Sequence, residues 1–201
     1  MTASGVRRNL STVDLSHRIS DLAEQLDLET IVIDGIDAPA RSDLPEIAAD
    51  RAAMILYTSG TTNKPKGVVT THACIENQIR SLVQAWHWQS DDRIPLFLPL
   101  HHVHGIIKIR ACALWSGAQV EPVRRFEVEA ILQRVAENAY SVFMAVPTIY
   151  VKLIEAIESL PEADRTPILD GFGQMRLMVS GSAALPASVH QHWTRLTGQK
   201  L

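Results

Sequence analysis

The stretch "ILYTSGTTNKPKGVVTTH", Ile55 to His72, ends an apolar run at Thr58 and then fills Thr58 to Gly67 with hydroxyls, glycines and two lysines around Pro65. Thr58, Ser59, Thr61 and Thr62 each bring an O–H donor. Gly60 and Gly67 let backbone N–H groups approach a ligand and permit positive φ. Lys64 and Lys66 add charge, Pro65 fixes φ between them, and Asn63 is the non-glycine residue most tolerant of positive φ. Donors, cations and open backbone in one loop behind a strand make a polyphosphate cradle. It is not a Walker loop, because the GxxxxGK[ST] spacing fails and the segment runs on into a strand.

Working outward, "AMILY" before the loop reads as a buried strand and "GVVTT" after it as a second one. Thr71 is placed to cap a helix over His72–Trp86, with Glu76 and Arg80 paired at i, i+4. Then come the strand "IPLFLPL", the turn "HHVHG", a helix over Ile106–Trp115, the strand "AQVEPV" and a helix over Val128–Glu137. The strand "SVFMAV" leads to Pro147 in the first turn of a helix over Thr148–Ile157. "RLMVS" is a strand, "GSAALP" a turn, and Ala187–Leu196 a helix stopped by Gly198. On the amino-terminal side, Leu15, Ile19, Leu22 and Leu26 recur at helical spacing, followed by the strand "TIVID" and a linker rich in Gly, Pro and acids. Strands repeatedly followed by helices predict an α/β fold, a mostly parallel sheet covered by helices. Ligands of such sheets bind beyond the carboxyl ends of the strands. Strands ending at Tyr57, Leu98 and Val179 each run into a polar turn there. Residues 1–50 read as a partial amino-terminal segment and linker, and 51–201 as the domain core.

The 201 residues are 46% hydrophobic and 20% charged, with a net charge of −3. That balance gives no electrostatic reason to bind nucleic acid or an anionic membrane, and no apolar run approaches the roughly 18 residues of a membrane helix. Cys74 and Cys112 form no CxxC pair, so free buried thiols in a reducing compartment are expected. The amino terminus has arginines and hydroxyls but no apolar signal core, and Asp14 and Asp21 come early. A cytoplasmic location is expected, with a mitochondrial one as the alternative.

"YTSGTTNKPKGV" resembles the phosphate-binding signature of the adenylate-forming (AMP-binding, ANL-type) superfamily, whose usual form is YTSGTTGxPKG. Asn63 is its departure. "PLHHVHG" resembles the superfamily's substrate-pocket motif and "VSGSAALP" its adenine and acyl segment. "FMAVPTIYVKLIE" and "RLMVSGSAALP" look most like malonyl-CoA synthetases. The resemblance implies part of the large amino-terminal domain of an acid–thiol ligase. That enzyme joins a carboxylic acid, malonate or methylmalonate, to coenzyme A through an acyl-adenylate made from ATP.

It also implies roles. Thr58 to Gly67 would hold the β/γ-phosphates, with Lys66 the main cation. Ser180, Gly181, Ser182 and Ala183 would run along the adenine and the acyl group. His101, His102 and His104 raise zinc, but no cysteine or carboxylate joins them at ligand spacing, so no metal site is expected there. The motif position assigns His104 to the carboxylate pocket. A second carboxylate needs a buried partner, for which Arg176 is the candidate; Lys108 and Arg110 read as solvated charges. Trp86, Trp88, Trp115 and Trp193 read as packing residues. Counterparts of the Mg²⁺-holding YGMTE-type glutamate, the ribose aspartate and the small carboxyl-terminal domain are not found in the 201 residues. The chain alone is therefore expected not to release pyrophosphate from ATP with malonate. A different fatty or aryl acid, and a non-catalytic nucleotide-binding product, are the alternatives.

Overall fold

Two parallel strand pairs organise the larger part of the fold. β5 (Arg93–Leu96) pairs with β6 (Gln119–Pro122), and β7 (Val142–Ala145) with β8 (Leu177–Ser180). The Ser141 N–H donates to the Arg93 carbonyl at 3.0 Å and joins the two pairs at their amino ends. The computed structural model describes residues 8–11, 20–25, 27–32, 45–58 and 65–201. Ser59, Gly60, Thr61, Thr62, Asn63 and Lys64 lie outside the described residues, as does most of the helix expected over Val13–Leu26. The chain divides into two compact units, Met1–His72 and Ala73–Leu201.

In the first unit, β1 (Arg8–Ser11) pairs in parallel with β2 (Glu29–Val32), and residues 20–25 form the described part of helix α1. The sequence signalled β2 but not β1. β3 (Ala52–Thr58) and β4 (Lys66–Thr71) form an antiparallel hairpin that pairs Tyr57 with Gly67 and Thr58 with Lys66. Two expectations are corrected here. β3 is not a buried strand: Ile55 is 38% and Tyr57 45% exposed. An apolar run signals a strand, but a two-stranded ribbon does not bury both of its faces. Nor does Gly67 have positive φ. Its lack of a Cβ matters through packing, because an added Cβ would meet Ile55 at 3.1 Å and Tyr57 at 3.4 Å.

The second unit begins in α2 (His72–Ala85), where Arg80 and Glu76 form the expected pair at 2.7 Å. The helix expected from Ile106 starts earlier and is wound differently. His104–Ala111 is a π-helix, continuing as α3 (Cys112–Trp115). α4 (Val128–Ala136), α5 (Pro147–Ser159) and α7 (Ala187–Thr197) lie where periodicity placed them. Pro147 opens α5, and Gly198 closes α7 in the left-handed region at φ 77°.

α6 (Glu162–Gly173) has no counterpart among the expected elements, and Pro167 and Gly171 within it disfavour a helix. Burial of Ile168 and Phe172 outweighs that local preference. Phe143, Tyr150, Phe172 and Trp193, all 0% exposed, meet edge to face and form the centre of the core between α4–α7 and β7–β8. Trp88 is also buried, whereas Trp115 lies at the surface under the Arg80 guanidinium, 5.1 Å from its ring centre.

Candidate active site at the carboxyl ends of the parallel strands

After β5 the chain passes Leu98 and Pro99 and enters the π-helix at His104. After β8 it makes a turn through Gly181 and Ser182. These two exits meet. His104 Nδ1 lies 3.0 Å from Ser182 Oγ, and a Cβ on Gly181 would come within 3.1 Å of the His104 ring. Ser182 has φ 68°, a conformation that costs a non-glycine residue free energy and recurs at functional sites. Gly105 is equally constrained, since a Cβ there would sit 2.5 Å from the Pro99 carbonyl oxygen. Only glycine lets the helix start so close under the Leu98–Pro99 turn. Tyr150 of α5 donates its hydroxyl to the Val179 carbonyl at 2.9 Å and anchors β8 beside that turn.

His104 is 4% exposed. Burial, reinforced by the positive charge of Lys108, pushes its pKa down to about 4, so the ring is neutral at pH 7. Its Nε2 is buried without a hydrogen-bond partner. When Ser182 O–H donates to Nδ1, the ring proton sits on Nε2 as a donor. Ser180 Oγ is also buried and unpartnered. A cavity of about 420 Å³ opens beside His104, lined by Leu98, Pro99, His102, Val103, Gly105, Lys108, Val146 and Ser182. A largely apolar cavity with a buried imidazole in its wall is of the kind that takes small organic ligands. His101 and His102 are exposed and lie ring against ring at 4.1 Å. Among the described residues, no group of three or more His, Cys, Asp and Glu is arranged to hold a metal ion.

Of the predicted site residues, His104, Gly181 and Ser182 come together. Ser180 is at the end of β8, and Ala183 is exposed just beyond. Thr58, Pro65, Lys66 and Gly67 are on the hairpin of the first unit, where Thr58 Oγ1 lies 3.5 Å from the Lys66 carbonyl. Arg176 is corrected. It precedes β8 at the amino end of the sheet and does not line the cavity. Its guanidinium donates to both carboxylate oxygens of Asp92, with Nε to Oδ1 at 2.7 Å, and to the Trp86 carbonyl at 2.8 Å. A residue entering a parallel strand and one leaving it face opposite rims, so Arg176 supports the sheet. Asp92 is the residue sequence reasoning missed, and Lys108, read there as a solvated charge, lines the cavity. Lys108 could have been found by its four-residue spacing from His104; Asp92 carried no local signal.

The model of the AMP-binding enzyme family matches residues 4–201. The chain belongs to this family. Human mitochondrial malonate–CoA ligase ACSF3 is 41% identical over 173 residues, covering 83% of this chain and 30% of the relative. The malonate–CoA ligase of Arabidopsis thaliana is 40% identical over 162 residues, 76% of this chain and 27% of the relative. ATP-bound MatB from Rhodopseudomonas palustris superimposes with a TM-score of 0.79 at 28% identity, over 97% of this chain and 39% of MatB. The chain thus spans about a third of these relatives. The α/β fold of the family, with parallel strands and flanking helices, is as expected from the sequence. In the described residues, no helix is long and apolar enough to cross a membrane.

Proposed function

We propose that this chain carries the phosphate loop and acid pocket of an AMP-forming acid–thiol ligase acting on malonate or methylmalonate. The likeness to proteins named malonate–CoA ligases supports the acid. The observation that carries the chemistry is His104, buried, neutral and unpartnered at Nε2, on the cavity at the carboxyl ends of β5 and β8. In this reading Nε2–H holds one oxygen of the reacting carboxylate while the other attacks the α-phosphorus of ATP. The bond to pyrophosphate breaks, and pyrophosphate leaves. The coenzyme A sulfur then attacks the acyl carbon, AMP departs, and the thiol proton passes to solvent. The substrate supplies its own nucleophile, so the protein's task is to position reactants and stabilise charge. Thr58, Ser59, Gly60, Thr61, Thr62, Asn63, Lys64, Pro65, Lys66 and Gly67 hold the β/γ-phosphates, with Lys66 the principal cation. Ser180, Gly181, Ser182 and Ala183 flank the adenine and acyl group.

Thermal unfolding of the purified chain with ATP and an acid panel tests this. Malonate at tenfold its dissociation constant should stabilise by about 1.4 kcal/mol, raising Tm by roughly 3–5 °C for a chain this size. Octanoate or benzoate should not. Stabilisation by octanoate alone would replace the dicarboxylate with a fatty acid.

A further inference from the structure

Inside the cavity, His104 is joined by one cation. Lys108 follows four residues later on the π-helix, so both side chains serve the same side of it. Lys108 is half-buried against a lining that includes Leu98, Val103 and Val146. Among the described residues, no carboxylate forms an ion pair with it. A monocarboxylic acid with an apolar tail would satisfy His104 and pack the lining, but would leave the Lys108 ammonium partly desolvated with no counter-charge, which is costly. A second carboxylate removes that cost.

We propose that Lys108 is the specificity-determining residue of this pocket: its ammonium donates to the distal carboxylate of a short dicarboxylic acid whose reacting carboxylate lies at His104 Nε2. The inference rests on the acid-activation reading and adds which residue selects the acid class. Arg176, spent on Asp92, does not supply that charge. The π-helical winding matters here, because its wider turn brings residues four and five apart onto one side.

The test is an NMR titration of the 201-residue chain with ATP present. It uses malonate and isovalerate, in which an isopropyl group replaces one carboxylate. Malonate should bind at least tenfold tighter than isovalerate and shift the Gly105, Lys108 and Ser182 amides. Lys108→Met should weaken malonate roughly tenfold or more, the worth of one charge-assisted hydrogen bond, and leave isovalerate unchanged. Lys108→Arg should keep the malonate preference. Equal malonate affinity in Lys108→Met would overturn the assignment while leaving the acid-activation reading standing. Equal loss for both acids would place Lys108 on the shared carboxylate and overturn it too. If neither acid binds the unaltered chain, the pocket reading itself fails and Lys108 with it.

Discussion

His104 shows how one buried side chain couples chemistry to stability. Its folded pKa is depressed to about 4, from an ordinary value of 6.5. Between those values the unfolded chain takes up a proton that the folded ring refuses. The stabilisation is therefore complete above pH 6.5 and lost as pH falls towards 4, a swing on the order of 3 kcal/mol. Urea unfolding from pH 7 to 4 should show this slope, and His104→Gln, which does not titrate, should flatten it. At this scale the motifs anticipated which side chains come together. "HHVHG" singled out His104 and "SGSAALP" supplied its partner Ser182. The sequence misled at Arg176, because a charge before a strand does not declare which rim of the sheet it will join.

Helix propensity and tertiary packing disagree most clearly in α6. Pro167 forfeits a backbone donor inside the helix, yet the helix holds because Ile168 and Phe172 are buried. Arg165 of α6 also donates to the Glu158 and Leu160 carbonyls at 2.9 Å and ties down the end of α5. Gly171 is the contact point with α4: an added Cβ would lie 2.1 Å from the Val135 carbonyl oxygen. In an isolated helix Gly→Ala stabilises by about 1 kcal/mol. Here Gly171→Ala should instead lower stability by at least about 2 kcal/mol by forcing the helices apart, readable as a fall of several degrees in Tm. An increase would mean that α4 and α6 are not packed this closely. Long apolar periodicities, as in α4, α5 and α7, were legible. Local rules could not anticipate α6 or the π-helical start at His104, because both depend on what the backbone meets elsewhere.

Across the second unit, Asp92 joins what sequence keeps far apart. It accepts from Arg176 before β8, from Ser141 Oγ before β7 at 2.8 Å and from the Gln89 N–H at 2.8 Å. It is 2% exposed. Burial alone would raise its pKa, but these hydrogen bonds and the Arg176 charge outweigh it and hold the carboxyl below its ordinary value of 3.8. Its contribution is therefore intact above that value and lost as pH falls through the folded pKa. Asp92→Asn should cost about 3–5 kcal/mol, because it strands the Arg176 charge beside the sheet. Denaturant unfolding at pH 7 measures this, and a loss under 1 kcal/mol would show that the pair is a solvated one. The clamp closes the amino rim of the strands, and the proposed acid pocket lies at the carboxyl rim, so support and pocket are kept apart.

The hairpin has a consequence of another kind. Ile55, Tyr57 and Val69 share one face and Val68 takes the other, with Val69 57% and Val68 48% exposed. Such a ribbon offers greasy, β-forming surface to any neighbour. Self-association of this chain should therefore rise with concentration and fall when Val68 and Val69 are replaced by threonine, which light scattering would measure.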